Sequence, residues 1–107
     1  MDRSLHTNAL RFAALGDETR LSLVMKLGRG SPLSIAELAE DTPMTRQAIT
    51  KHLRILEVAG VVRAEKRGRE SQFHMLPRSI EQSREALEKI SRQWDDALVR
   101  LKAFVED

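Results

Sequence analysis

The sequence predicts a mainly α-helical fold with one small β-hairpin, and three observations carry that expectation. Apolar residues recur at three- and four-residue spacings near both ends and in the middle of the chain. Two helical stretches within residues 34–59 are separated only by the polar break Asp41-Thr42-Pro43. Strand-like alternation falls on residues 61–76, on either side of the turn Lys66-Arg67-Gly68-Arg69.

The elements follow in chain order. Leu5, Ala9, Phe12 and Ala13, with Leu10 beside them, mark the apolar face of a first helix. Gly28-Arg29-Gly30-Ser31-Pro32 and Leu76-Pro77 read as loops between elements. Ser34 with Glu37 three residues on is the capping-box pattern, and Ile35, Ala36, Leu38 and Ala39 give that short helix an apolar side. Asp41-Thr42-Pro43 should end it, because the residue before a proline is pushed out of the helical region. Thr45 is the natural N-cap of the next helix. Ile49, Leu53 and Leu56 mark its buried face, and Gly60 stands where a C-terminal glycine is expected. In the hairpin, Val62 and Ala64 share a face on one strand, while Ser71, Phe73 and Met75 alternate on the other.

After Pro77, Ser79 with Gln82 repeats the capping-box pattern, so the last helix is expected to run over about residues 79–105. Leu87, Ile90, Trp94, Ala97, Leu101 and Phe104 lie at alternating spacings of three and four, a heptad seam widened by Leu98 and Val105. A helix of some 26 residues is about 39 Å long, more than a small domain can cover. Leu5, Ala9 and Phe12 on the first helix, with Leu87, Ile90, Trp94, Leu98, Leu101 and Phe104 on the last, are therefore expected to form a homodimer interface. The alternatives are a stripe folded back on its own core, or a pocket for an apolar ligand lined by Trp94 and Phe104.

The polar face of the helix after Thr45 carries Arg46, Gln47, Thr50, Lys51 and Arg54. Arginine and lysine can reach guanine edges or phosphates, glutamine can pair with adenine, and threonine suits a phosphate or a thymine methyl. Helix N-terminal amides favour phosphate as well. A solvated polar face is the plain alternative, but here a turn precedes the helix and a basic hairpin follows it. Lys66, Arg67 and Arg69 at the hairpin tip suit the phosphate backbone or a minor groove; a single cation there would only blunt an edge strand. Residues 44–78 hold eight cations against three acids, a net of +5, while the remaining ten cations and thirteen acids come to −3. The overall charge of +2 thus hides a basic surface on an acidic frame. Double-stranded DNA is the partner these features imply.

The chain resembles the ArsR (ArsR/SmtB-like) family of winged helix-turn-helix regulators. The residues that carry the resemblance are Ala13-Ala14-Leu15-Gly16-Asp17-Glu18-Thr19-Arg20-Leu21, similar to the family's "ALGDPTRL", and Ile35-Ala36-Glu37-Leu38-Ala39. To these are added Thr45 through Leu56, in which Thr50-Lys51-His52-Leu53-Arg54-Ile55-Leu56 fits "S/T-x-H-L-x-x-L", and Ala59-Gly60-Val61-Val62. The resemblance implies a homodimeric transcriptional regulator, usually a repressor. It implies recognition-helix contacts at Thr45, Arg46, Gln47, Thr50 and Lys51, a helix-turn-helix over about residues 34–59, and a wing over about 61–76. His52 occupies a position the family commonly fills with histidine, where it packs or touches phosphate.

The departures narrow the function. Metal sensors of this family carry cysteines near the first helix of the helix-turn-helix, or a His/Asp/Glu set on the last helix. This chain has no cysteine, and Glu37-Leu38-Ala39-Glu40-Asp41 stands at the matching stretch. His6, His52 and His74 fall in three different elements without ligand spacing for zinc, so no metal and no cofactor is expected. Glu85, Glu88, Asp95 and Asp96 on the last helix read as a solvated face. No glycine-rich phosphate loop, thiol or Ser/His/Asp arrangement points to an enzyme. No apolar run is long enough to span a membrane, and Asp2, Arg3 and His6 interrupt any signal-peptide core. One domain is expected over 1–107, in a reducing, cytoplasmic setting. A winged module that binds protein instead of DNA would keep the same core, but would show aliphatic or acidic residues on the recognition face. Any effector is unknown at this level.

Overall fold

The computed structural model describes residues 3–106. In chain order the elements are α1 (Arg3–Leu15), α2 (Glu18–Leu27), β1 (Leu33–Ser34), α3 (Ile35–Ala39), α4 (Arg46–Val58), β2 (Val62–Arg67), β3 (Glu70–Met75) and α5 (Pro77–Glu106). The fold is mainly helical, with a small antiparallel sheet in the order β1-β3-β2.

The core forms where α2, α3, α4 and the sheet meet. Ile49, Leu53 and Leu56 of α4 are fully buried against Leu23 and Leu27 of α2, Leu38 of α3, and Val61, Val62 and Phe73 at the sheet. Hairpin register pairs Ala64 with Phe73 and Val62 with Met75, so the apolar alternation of both strands faces this core.

Local chemistry sets the helix ends. Ser34 Oγ accepts from Glu37 N–H at 3.1 Å, and Ser34 N–H donates to Glu37 Oε1 at 3.0 Å, completing the capping box. Thr45 caps α4 by accepting from Ala48 N–H at 3.1 Å. At the other end Gly60 takes φ 77°. Val61 N–H then bonds Leu56 O at 2.9 Å and Gly60 N–H bonds Glu57 O at 3.0 Å, a Schellman ending. Asp17 caps α2, accepting from Arg20 N–H at 3.0 Å.

Three sequence expectations are corrected. The hairpin is not alone: β1 pairs with β3, Leu33 opposite Phe73 and Ser34 opposite Gln72. A two-residue strand has no periodicity to read. Helix α3 ends at Ala39, ahead of the proline break, because Glu40 is extended and Asp41 is left-handed at φ 63°. Lys26 Nζ holds this exit by donating to Leu38 O at 3.2 Å and Glu40 O at 3.0 Å. The last helix begins at Pro77, so Ser79 and Gln82 are not its capping box. Pro77 supplies the start, since a first-turn position needs no N–H donor. Buried Ser79 instead donates to Gly60 O, and Gln82 Oε1 accepts from Arg11 Nη1 at 2.8 Å.

Beyond Ser83, α5 leaves the body, and the described chain is 65 Å in its longest dimension. The stripe from Leu87 onward is not folded back on its own core: Trp94 is 62% exposed and Phe104 80%.

Leu53→Ala should cost about 2–5 kcal/mol, because its fully buried site is closed on several sides; urea unfolding followed by circular dichroism measures it. The Arg20 amide bond holds the Asp17 carboxyl below its ordinary value of 3.8. With the folded value lower, the charge contributes stability that is fully present above the ordinary value and is lost as pH falls through the folded one. Asp17→Ala should therefore melt at lower temperature than wild type at neutral pH, with the gap closing in acid. A gap that stays constant into strong acid would show that the charge is not the cause.

Candidate nucleic-acid interface

Helix α4 has two unlike sides because its sequence alternates between them. Ile49, Leu53 and Leu56 turn inward, which leaves Arg46, Gln47, Lys51 and Arg54 exposed on the outer side. Thr45 is exposed at the N-cap; its oxygen accepts from Ala48 N–H, and its hydroxyl proton stays free to donate outward. Thr50 is half-buried, and its Oγ1 donates to Arg46 O at 2.8 Å. It therefore offers a methyl group and lone pairs rather than a donor.

The hairpin tip is a two-residue turn, Gly68-Arg69, between Arg67 and its partner Glu70. Gly68 has φ 65°, where glycine at the first central position of a type II′ turn is favoured. Lys66, Arg67 and Arg69 are all exposed. Among the described residues none of Arg46, Lys51, Arg54, Lys66, Arg67 and Arg69 enters an ion pair. These cations are not engaged in holding the fold.

The two basic features are joined by short, stiff connections. The Schellman ending of α4 leads directly through Val61 into β2. Pairing of β1 with β3 ties the start of α3 to the hairpin, since Ser34 is both the last residue of β1 and the cap of α3. The turn, α4 and the hairpin are therefore joined by backbone hydrogen bonds at both ends of the unit. Sequence reading missed β1's part in this, and no signal in two residues announces it.

His52 finds its partners inside the chain. Its Nδ1 lies 3.2 Å from Arg20 Nη1 and 3.9 Å from Asp17 Oδ2, and the side chain is 21% exposed. Sequence reading quoted Asp17 and Arg20 for the resemblance. What it lacked was the fold that brings α2 beside α4. His74 pairs with Glu65 across the hairpin, Nε2 to Oε1 at 3.2 Å.

The residues expected at a dimer interface lie on two neighbouring helices. Leu87, Ile90, Trp94, Leu98, Leu101 and Phe104 of α5 are exposed, as are Leu5 and Ala9 of α1, while Phe12 is half-buried. Arg11 and Gln82 join the two helices. No helix among the described residues is long and apolar enough to cross a membrane.

Comparison with known proteins agrees with this geometry. Residues 17–64 match the family model described as bacterial regulatory protein, arsR family. Over 93 residues the chain is 34% identical to the HTH-type transcriptional regulator Rv2034 of Mycobacterium tuberculosis, covering 87% of this chain and 83% of that protein. The structure of an ArsR-like transcriptional regulator from Rhodococcus sp. RHA1 superposes with a TM-score of 0.76 at 38% identity, covering 94% of this chain and 93% of that one. The homodimeric winged helix-turn-helix DNA-binding domain of Mb0332 from Mycobacterium bovis shares the fold, with a TM-score of 0.64 at 21% identity over 88% of this chain and 83% of that one. With its cation-bearing α4, its hairpin wing and these relatives, the chain belongs to the ArsR family of transcriptional regulators, whose winged helix-turn-helix is a DNA-binding domain and not an enzyme.

Proposed function

We propose that the protein is a homodimeric repressor that occupies an imperfect palindromic operator and blocks a promoter by steric occlusion. The observation that carries this reading is the pair of exposed cationic surfaces, one on α4 and one on the wing, without ion pairs among the described residues and joined by short hydrogen-bonded connections. Helix α4 enters the major groove, where Arg46 and Gln47 read base edges. Thr45, Lys51 and Arg54 position it on phosphates, and the Thr50 methyl group meets a neighbouring base. Lys66, Arg67 and Arg69 lie along the backbone or in the minor groove. Two copies related by a two-fold axis meet successive major grooves about 34 Å apart.

The dimer rests on the bare stripe of α5 and the neighbouring face of α1. An apolar row with Trp94 and Phe104 in water implies a partner, and the related fold from Mycobacterium bovis is described as homodimeric. The chain has no cysteine, so regulation does not run through a thiolate-held metal or thiol oxidation.

The direct test is fluorescence anisotropy on a duplex covering the region upstream of the protein's own gene, against a scrambled duplex, over a salt series. Selective binding at two subunits per site is expected; equal, salt-insensitive behaviour on both duplexes would refute the reading. Arg46→Ala or Gln47→Ala should each cost about 1–3 kcal/mol and relax sequence preference. Arg67→Ala should weaken all sequences alike and reduce the salt slope by about one; a changed base preference would mean that the wing reads sequence. Trp94→Asp should convert the dimer to monomer in light scattering and abolish tight operator binding together.

A further inference from the structure

Arg20 connects three helices through one side chain. It sits in the first turn of α2, where its backbone N–H is held by Asp17. Its Nε donates to Ala14 O in the last turn of α1 at 2.7 Å, and its Nη1 lies 3.2 Å from His52 Nδ1 of α4. A guanidinium has only donors, so a hydrogen bond at this contact is one in which Nδ1 accepts. The guanidinium is a rigid planar fork, so it fixes the distance between its two acceptors more firmly than a lysine could. Asp17 is the other charged group at this ring, 3.9 Å from Nδ1, too far to hydrogen-bond it and already engaged as the α2 cap.

The contact does not end at Ala14. Helix α1 is tied to α5 through Arg11 and Gln82, so a continuous set of bonds runs from α5 through α1 and Arg20 to the outward-reading α4. We infer that Arg20 is a positioning residue for DNA binding. Acting through His52, it sets the placement of α4 relative to the α1–α5 face, and hence the separation of the two recognition helices. The inference rests on the dimeric, palindrome-binding reading above. Small displacements matter here, because one base pair moves a half-site by about 3.4 Å along the axis and turns it around the duplex.

The test uses the full chain and a palindromic duplex that the wild-type protein selects from a randomised pool. Affinity is compared on that duplex and on versions with one base pair inserted or deleted at the dyad. Wild type should prefer the original spacing by at least about thirtyfold, since a misplaced half-site forfeits several base contacts. Arg20→Gln should lower that preference to about threefold or less, with the dimer intact in light scattering. His52→Leu, which leaves the Arg20 to Ala14 bond in place, should do the same and serves if Arg20→Gln does not fold. His52→Asn should restore the preference, because its Oδ1 offers an acceptor near the place of Nδ1.

A uniform loss on all three duplexes, with the spacing preference unchanged in Arg20→Gln and His52→Leu, would overturn the inference, leaving Arg20 a stabilising contact and His52 a phosphate contact. A wild-type protein indifferent to spacing would instead bring down the palindromic reading itself, and this inference with it.

Discussion

The structure depends on one constraint: α4 must be buried on one side and bare on the other. Ile49, Leu53 and Leu56 are wholly enclosed, and every other element of the core packs around them. Burying three such side chains contributes roughly 1.5–3 kcal/mol each. That is enough to fix the rotation of a 13-residue helix whose own propensity is ordinary. Once the rotation is fixed, Arg46, Gln47, Lys51 and Arg54 have no choice but to face outward. The hydrophobic core therefore determines which surface is presented to a partner, and the cations themselves do little for the fold.

The legibility of the sequence follows the same line. Features set by a few consecutive residues were readable: the Ser34 and Thr45 caps, the Gly60 ending, the alternation that puts Val62 and Phe73 inward, and the two faces of α4. Features set by distant contacts were not. β1 exists because β3 has a free edge beside Leu33 and Ser34, a fact of tertiary arrangement. Ser79 and Gln82 had the right spacing for a cap, but Pro77 had already begun the helix, and their polar groups were drawn to Gly60 and Arg11. Asp41 could not be foreseen in a left-handed conformation, because the proline two residues on offered a simpler reason for the helix to stop. At the interface, the exposed cations were legible by residue type, whereas the partnership of Arg20 with His52 requires α2 to lie against α4.

Rigidity of the reading unit has several independent sources. The Schellman ending couples α4 to the wing, Ser34 couples the sheet to α3, and Lys26 closes the exit of α3 on two carbonyls. Each is a hydrogen bond to a terminal backbone group that would otherwise need water. Hydrogen bonds of this kind contribute only about 1 kcal/mol net each. Their value lies in removing alternative placements of α4 and the hairpin relative to one another. A surface that is to match a duplex of fixed pitch gains more from that restriction than from added stability.

Helix α5 is governed by a different balance. Its visible charge pairs, Arg84 with Glu81 and Glu88 and Lys102 with Glu106, are all exposed and local. Exposed pairs at such spacings are screened by water and contribute too little to hold the distal half of a 30-residue helix rigid on their own. The apolar row from Leu87 to Phe104 is worth several times more, at roughly 1.5–3 kcal/mol for each large side chain fully buried. That contribution is available only when something covers the row. In the proposed dimer, folding of the distal helix and assembly become one equilibrium. Subunit pairing then supplies the second half of the reading surface and also secures the helix that positions it.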